Sequence, residues 1–257
     1  MHLSKRDNGA FTEALSYLNN AISSNDENMM YYYNTNDYTN GNPAWLFQED
    51  RAGDAVMGYF FVEKLKELGD PRLPQYVSPL EDTLVYNDIT YLPGDYFGCP
   101  AGEPINGSSL PGPAIAASNT PTPIITFAEV LFIKAECEFQ TGVAEAAVKA
   151  TLKAAVAASL AQYGVMDQAW LDNLETTWGS GADLFKEIMM QKYLALGYQT
   201  ETFVDFRRTD NVIGLTPNPE SSSSVFPRRY PYATDPVTYN PNTPSGVDIF
   251  QKVWWDN

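Results

Sequence analysis

Histidine is almost missing from this sequence: His2 is the only one in 257 residues, and it stands in the irregular stretch before the first helical pattern. That excludes histidine-based metal sites and Ser-His or Cys-His nucleophiles. Cysteine is nearly as scarce. Cys99 and Cys137 form no motif; Cys137 falls within an apolar helical pattern, which reads as a buried free thiol, and a disulfide between the two has no support. Positive charge is short as well, with 16 Lys and Arg against 32 Asp and Glu and a net charge of −16. Such a chain repels nucleic-acid phosphates and anionic membrane surfaces, and suits a neutral ligand or a cationic protein surface. No run of 18 apolar residues exists, so no segment reads as a membrane span. The opening "MHLSKRDNGAF" has no apolar signal core, and Cys99 in "YFGCP" follows no apolar run, unlike a lipidation site. Alternating strand patterns of any length are absent too.

What is present is helical periodicity and aromatic side chains. Apolar residues make up 44% of the chain, enough for a substantial core, and aromatics 13%. "FTEALSYLNNAIS" places Ala14, Leu15, Leu18, Ala21 and Ile22 on one face, in the manner of the second helix of a tetratricopeptide repeat. Asp54 is the expected cap of a helix through "AVMGYFFVEKLKELG", stopped by Gly69. Proline and glycine then make residues 70–123 long and irregular. "TFAEVLFIKAECEFQTG" starts with Thr126 and Glu129 in a capping box, ends on Gly142, and is apolar nearly all round, which predicts a central helix. An alanine-rich helix ending at Gly164 follows, then one from about Ser180, with "TETFVDFRRTD" helical after Gly197. The expected class is mainly α with extensive loops.

"DPRL" (70–73), "PIITFAEVLFIKAECEFQTG" (123–142), "QKYLALGYQTETFVDFRRTD" (191–210), "FPRRYPY" (226–232) and "VWWDN" (253–257) occur in this order. Together they resemble the SusD/RagB family of outer-membrane nutrient-binding lipoproteins, in particular the SusD-like branch common in Bacteroidetes. The resemblance implies a tetratricopeptide-like helical scaffold with long ligand-facing loops. It also implies a surface-exposed outer-membrane lipoprotein that holds a glycan or other nutrient over a TonB-dependent, SusC-like transporter. Family members are longer, so residues 1–257 are expected to be a single SusD-like domain lacking its N-terminal part, and the membrane would be met only through a lipid anchor outside this chain. The shared terminal motif implies that Trp254 and Trp255 are packing residues.

Arg207 and Arg208, with Arg228 and Arg229, form two basic pairs in an acidic chain. Guanidinium forks grip carboxylates, so these read either as an anion clamp or as ties to Asp205, Asp210, Asp235 or Glu129. Both pairs fall in motifs shared across the family, which favours the ties, and Arg72 reads the same way. Glu129, Glu136 and Glu138 offer carboxylates for glycoside hydrolysis, but Glu129 is engaged as a cap, and Glu136 and Glu138 point apart on a helix. An enzyme is therefore not expected, and no cofactor is indicated. "NDYTNG" (36–41) fails as a calcium loop because its third and twelfth positions are Tyr38 and Phe47.

The stretch "YYYNTNDYTNGNPAWLF" (31–47) suits neither helix nor strand. A sugar presents an apolar face and a hydroxyl rim, which flat rings and amide or carboxylate groups complement. Tyr33, Tyr38 and Trp45, with Asn36 and Asp37, are the expected ligand contacts; Phe47 is expected in the core. A second ring cluster, with Tyr91 and Tyr96 beside Tyr86 and Phe97, competes for the role. The reading is non-catalytic glycan binding and delivery to the transporter, with a protein-interaction scaffold for a non-glycan nutrient as the alternative.

Overall fold

The computed structural model describes residues 1–34, 38–103, 105–218 and 225–256. Among these residues the helices are α1 (Gly9–Leu18), α2 (Pro43–Asp50), α3 (Tyr59–Leu68), α4 (Leu73–Tyr76), α5 (Pro113–Ala116), α6 (Phe127–Gln140), α7 (Glu145–Gln162), α8 (Gln168–Thr177), α9 (Ala182–Ala195), α10 (Glu201–Arg208) and α11 (Thr234–Tyr239). Four short strands pair as two antiparallel ribbons, β1 (Met29–Tyr31) with β4 (Thr122–Ile125) and β2 (Leu84–Tyr86) with β3 (Ile89–Tyr91). The architecture is mainly α and tetratricopeptide-like.

The centre is α6. Its Thr126 hydroxyl accepts from the Glu129 N–H at 3.2 Å, while burial raises the Glu129 carboxyl against the opposing pull of Lys192 and of the Thr126 backbone N–H. Val130, Phe132, Ala135 and Cys137 are buried on it, as expected of a helix apolar on most sides. A short turn through Gly142, at φ 78°, reverses the chain into α7, so the two helices run antiparallel. Alanines at 155 and 158 let α7 come close, while Val148, Leu152 and Val156 fill the seam. From there α8 lies against α7, and α9 returns across both α6 and α7.

Several local features depart from the sequence expectation. Asp54 does not cap α3; Gly58 is the N-cap, its extended backbone bridged to Cys99, and Asp54 pairs instead with Arg51 at 2.7 Å. Part of the 31–47 stretch is regular after all: Tyr31 ends β1, and residues from Pro43 are helical. α8 was not anticipated from its polar sequence; the Asp167 carboxylate starts it by accepting from the Trp170 N–H at 2.9 Å. Phe47 is 42% exposed rather than in the core, because it lies on the solvent side of α2. Trp254 is 63% exposed, whereas Trp255 packs as expected, stacked on His2 at 5.4 Å.

The arginines are ties. The Arg208 guanidinium grips Glu136 on α6 with both terminal nitrogens and donates to Asp205 at 2.6 Å. Lys192 on α9 pairs with Asp205 at 2.7 Å and approaches Glu136 at 3.8 Å. All four groups are buried. Arg72 donates to both oxygens of Asp70 at 2.9 and 2.6 Å, to Ser159 of α7 at 3.0 Å and to Gln191 of α9 at 3.2 Å. Arg228 forks onto Asp256, which also takes Lys5 at 3.0 Å, so residues near the two ends of the chain are held together. Arg207 ties through carbonyls instead, donating to Phe203 at 3.2 Å and to Arg228 at 2.8 Å, and the Arg229 guanidinium lies 4.9 Å from the Tyr232 ring. The sequence reading named Asp205 and Asp210 correctly among the partners, but the main partner of Arg208 is Glu136.

Removing one member of a buried ion network leaves the others unpaired, so Glu136→Ala should destabilise the fold by about 3–5 kcal/mol in urea denaturation. Burial raises the Asp205 carboxyl, but Lys192 and Arg208 outweigh it and hold its pKa below the ordinary carboxylate value. Asp256 is held down in the same direction by Arg228 and Lys5 against its own desolvation. A pKa lower in the folded than in the unfolded chain means that the stabilisation is complete above the unfolded value, roughly 4, and is lost as pH falls below it. The urea midpoint should therefore drop on acidification from about pH 5 to pH 3.

Candidate functional site

Asn42 organises the site. Its side-chain oxygen accepts from the N–H groups of Ala44 and Trp45 at 2.8 and 3.1 Å, and its amide donates to the Thr120 carbonyl at 2.8 Å. The first pair caps α2, with Pro43 at the first helical position where a missing N–H costs nothing. The third bond pins that helix start to the segment before β4. Asparagine is the residue with both an acceptor for the helix and a donor for the loop.

Around this anchor is a cleft of about 330 Å³. Tyr76, Ile115 and Leu196 form its buried floor, and Tyr198 and Thr122 are exposed at its mouth. The floor is fixed by hydrogen bonding: Tyr76 donates its hydroxyl to the Ala195 carbonyl at 3.1 Å, and burial raises the pKa of both Tyr76 and its neighbour Tyr163, keeping them neutral. α5 reaches the wall because Gly112 lies against α4; a Cβ there would stand 2.6 Å from the Gln75 carbonyl oxygen. Tyr33 lines the cleft with its hydroxyl 2.9 Å from Thr122 Oγ1, and Gln199 adds an amide.

Beside it, across Pro43, lies a shallower surface formed by Tyr38, Leu46 and Phe47 with Glu49 and Asp50. The Tyr38 and Trp45 rings meet there at 5.5 Å and 41°. Tyr31 and Tyr33 make an edge contact at 5.0 Å, and Tyr32 is exposed. The structure thus brings together Tyr33, Tyr38 and Trp45. Asn36 and Asp37 lie outside the described residues.

Tyr91 and Tyr96 border neither surface. Tyr91 lies on β3 against Phe97 at 4.8 Å with the Lys66 ammonium 5.5 Å from its ring, and Tyr96 packs on the main core. Phe97 is fully buried among Leu80, Leu84, Tyr86 and Tyr91, so this second ring cluster is largely a small core of its own. Next to it, a groove of about 670 Å³ runs along Tyr59, Phe60 and Cys99, with Glu63, Lys64, Glu67 and Glu103 on its sides. The Cys99 thiol donates to the Glu103 carbonyl at 2.8 Å. Cys137 is buried and its thiol is pushed up to about 11 by desolvation. Among the described residues no group of three or more His, Cys, Asp or Glu could hold a metal ion, and no helix is long and apolar enough to cross a membrane.

Sequence reasoning missed Tyr76, Tyr163, Tyr198 and Gln199. Tyr198 and Gln199 stand in "LALGYQTE", between two helical patterns, and that interruption is the signal available. Tyr76 and Tyr163 carry none, because only the packing of α4 against α7 places them.

A family model described as starch-binding and associating with the outer membrane, SusD-like, matches residues 1–233. A SusD/RagB family protein from Bacteroides thetaiotaomicron is 24% identical, with a TM-score of 0.78 over 100% of this chain and 61% of its own. A SusD homologue from Bacteroides vulgatus is 22% identical, with a TM-score of 0.77 over 100% and 60%. A chitin-binding SusD homologue from Flavobacterium johnsoniae is 19% identical, with a TM-score of 0.77 over 100% and 60%. The chain therefore spans about three fifths of the length of these structures. No curated protein matches it.

Asn42→Ala should remove the α2 cap and the tie to Thr120 together. The expected loss is about 1–2 kcal/mol of stability. Thermal melting would measure it, and crosslinking-free amide exchange should show faster exchange at Ala44 and Trp45.

Proposed function

The chain belongs to the SusD-like family, described as starch-binding and associating with the outer membrane, and on that premise we propose that it is a non-catalytic binder of a poly- or oligosaccharide that passes it to a TonB-dependent, SusC-like transporter at the cell surface. The observation that carries the binding role is the joining of the Tyr38–Trp45 ring pair to the Tyr33 cleft through Pro43. Rings of this kind cover the apolar face of a sugar, while the tyrosine hydroxyls and the carboxylates of Glu49 and Asp50 are available to its hydroxyl rim. One relative of the same fold is a chitin-binding protein, which supports a glycan as the ligand class.

The central-helix acids support a binder rather than a hydrolase, because they are engaged within the fold. Glycoside hydrolysis needs two carboxyl groups flanking the bond to be broken. Glu136 is enclosed by Arg208 and Lys192 with no exposed surface, and Glu138 shares a helix with Lys134 at 3.8 Å. Surface anchoring through a lipid and handover to the transporter follow from the family premise.

Affinity gel electrophoresis on a panel of soluble polysaccharides tests this. At least one polymer should retard the protein, and Tyr38→Ala or Trp45→Ala should weaken retardation roughly fivefold, about 1 kcal/mol of lost ring contact. Tyr91→Ala should leave it unchanged. Polymer shortened during incubation, read by reducing-end detection, would overturn the non-catalytic reading, and retardation by no polymer would overturn the glycan reading.

A further inference from the structure

We propose that the Tyr33 cleft is an end-recognition subsite for an uncharged glycan: it takes the terminal sugar of the chain, and the next sugars lie over Pro43 on the Tyr38–Trp45 surface. This rests on the glycan-binding reading and adds the part of the ligand that is recognised and its charge class.

Three observations carry it. The first is charge. The sequence has a net charge of −16, yet among the described residues no Asp, Glu, Lys or Arg lines this cleft. Alanine, proline and tyrosine make most of its wall, with polar groups limited to amides and hydroxyls such as Gln199, Thr122 and Tyr33. A uronic acid or sulfated sugar entering such a wall would lose water around its charge and meet no cation in exchange. A neutral sugar keeps directed hydrogen bonds to the hydroxyls and the amide, and its C–H face lies on apolar surface.

The second is shape. At about 330 Å³ the cleft is at the small end of ligand sites, which span roughly 300–1,000 Å³, so it has room for about one or two sugar rings. Its floor is formed by Tyr76 and Ile115 of the main core and by the buried Leu196. With a buried floor and room for one or two rings, the cleft takes a chain end directly, whereas an internal sugar would need both of its neighbours to turn out over the rim.

The third is continuity. Pro43 lines both the cleft and the adjoining ring surface, and the Asn42 side chain fixes it in place. A chain leaving the cleft passes over Pro43 onto exposed rings whose outer edge carries Glu49 and Asp50. The deep part is neutral and the outer part tolerates solvent, which suits one terminus inside and the remainder outside.

The test compares a hexasaccharide with a long polymer of the same neutral sugar and linkage, chosen as whichever polymer retards the protein most, by isothermal titration. End recognition predicts equal affinity per chain end, so the polymer should be weaker per unit mass by the ratio of chain lengths. Equal affinity per unit mass would mean internal sugars are bound and would overturn the proposal while leaving the glycan reading intact. Ala114→Leu, which adds bulk inside the cleft, should weaken hexasaccharide binding at least tenfold, whereas Tyr38→Ala should weaken it less. Gln199→Ala, at a half-buried wall position, serves should Ala114→Leu lose its helical circular dichroism, and should weaken binding about threefold, the value of one neutral hydrogen bond. Hexasaccharide binding unchanged in a folded cleft variant would overturn the proposal. A hexasaccharide of uronic acid should bind at least tenfold more weakly than the neutral one; equal binding would overturn the charge assignment. Binding of neither hexasaccharide nor polymer would overturn the glycan reading and this inference together.

Discussion

The carboxylate of Glu136 lies in the middle of the central helix with no access to water, and the fold has to satisfy it. An isolated charge at that depth is far more costly than any single packing defect, so the Arg208 fork and the Lys192 ammonium are conditions of the fold rather than additions to it. Those two cations arrive on α10 and α9. Their presence sets how α9 crosses α6, and α10 carries Arg207 on to the Arg228 carbonyl at 2.8 Å. From Arg228 the chain of polar contacts reaches Asp256 and Lys5. One buried acid thus fixes the position of elements drawn from most of the sequence.

That dependence also explains which parts were legible in the sequence. α6 was, because its apolar residues, its Thr126–Glu129 cap and its Gly142 stop are local and agree with one another. The alanine-rich α7 and the Gly69 stop were legible for the same reason. The partner of Glu136 was not, since Arg208 is 72 positions away and any of several acids fits an arginine equally well on paper. α2 was hidden because aromatic and asparagine residues have weak helical preference, and the signal that mattered was the cap Asn42 followed by Pro43. Its solvent-facing side then left Phe47 exposed, where hydrophobicity alone had placed it in the core.

The candidate site shows the same division. The rings at Tyr33, Tyr38 and Trp45 were visible as composition. The cleft they border is built from segments around residues 33, 43, 76, 115, 163 and 198, and no window of sequence contains it. What the sequence presents as one aromatic loop is, in space, a strand end, a capped helix and the rim of a cavity. The competing cluster at Tyr86, Tyr91 and Phe97 was equally conspicuous in composition, and its two half-buried tyrosines pack on the buried Phe97.

The two thiols differ in a way that bears on how the molecule can be observed. Cys137 is buried in α6, and desolvation keeps it protonated to about pH 11, whereas Cys99 borders an open groove on another part of the surface. An accessible thiolate is the nucleophile that attacks a labelling reagent. A single fluorophore or spin label can therefore be attached at Cys99 of residues 1–257, giving a site-specific reporter without first replacing Cys137.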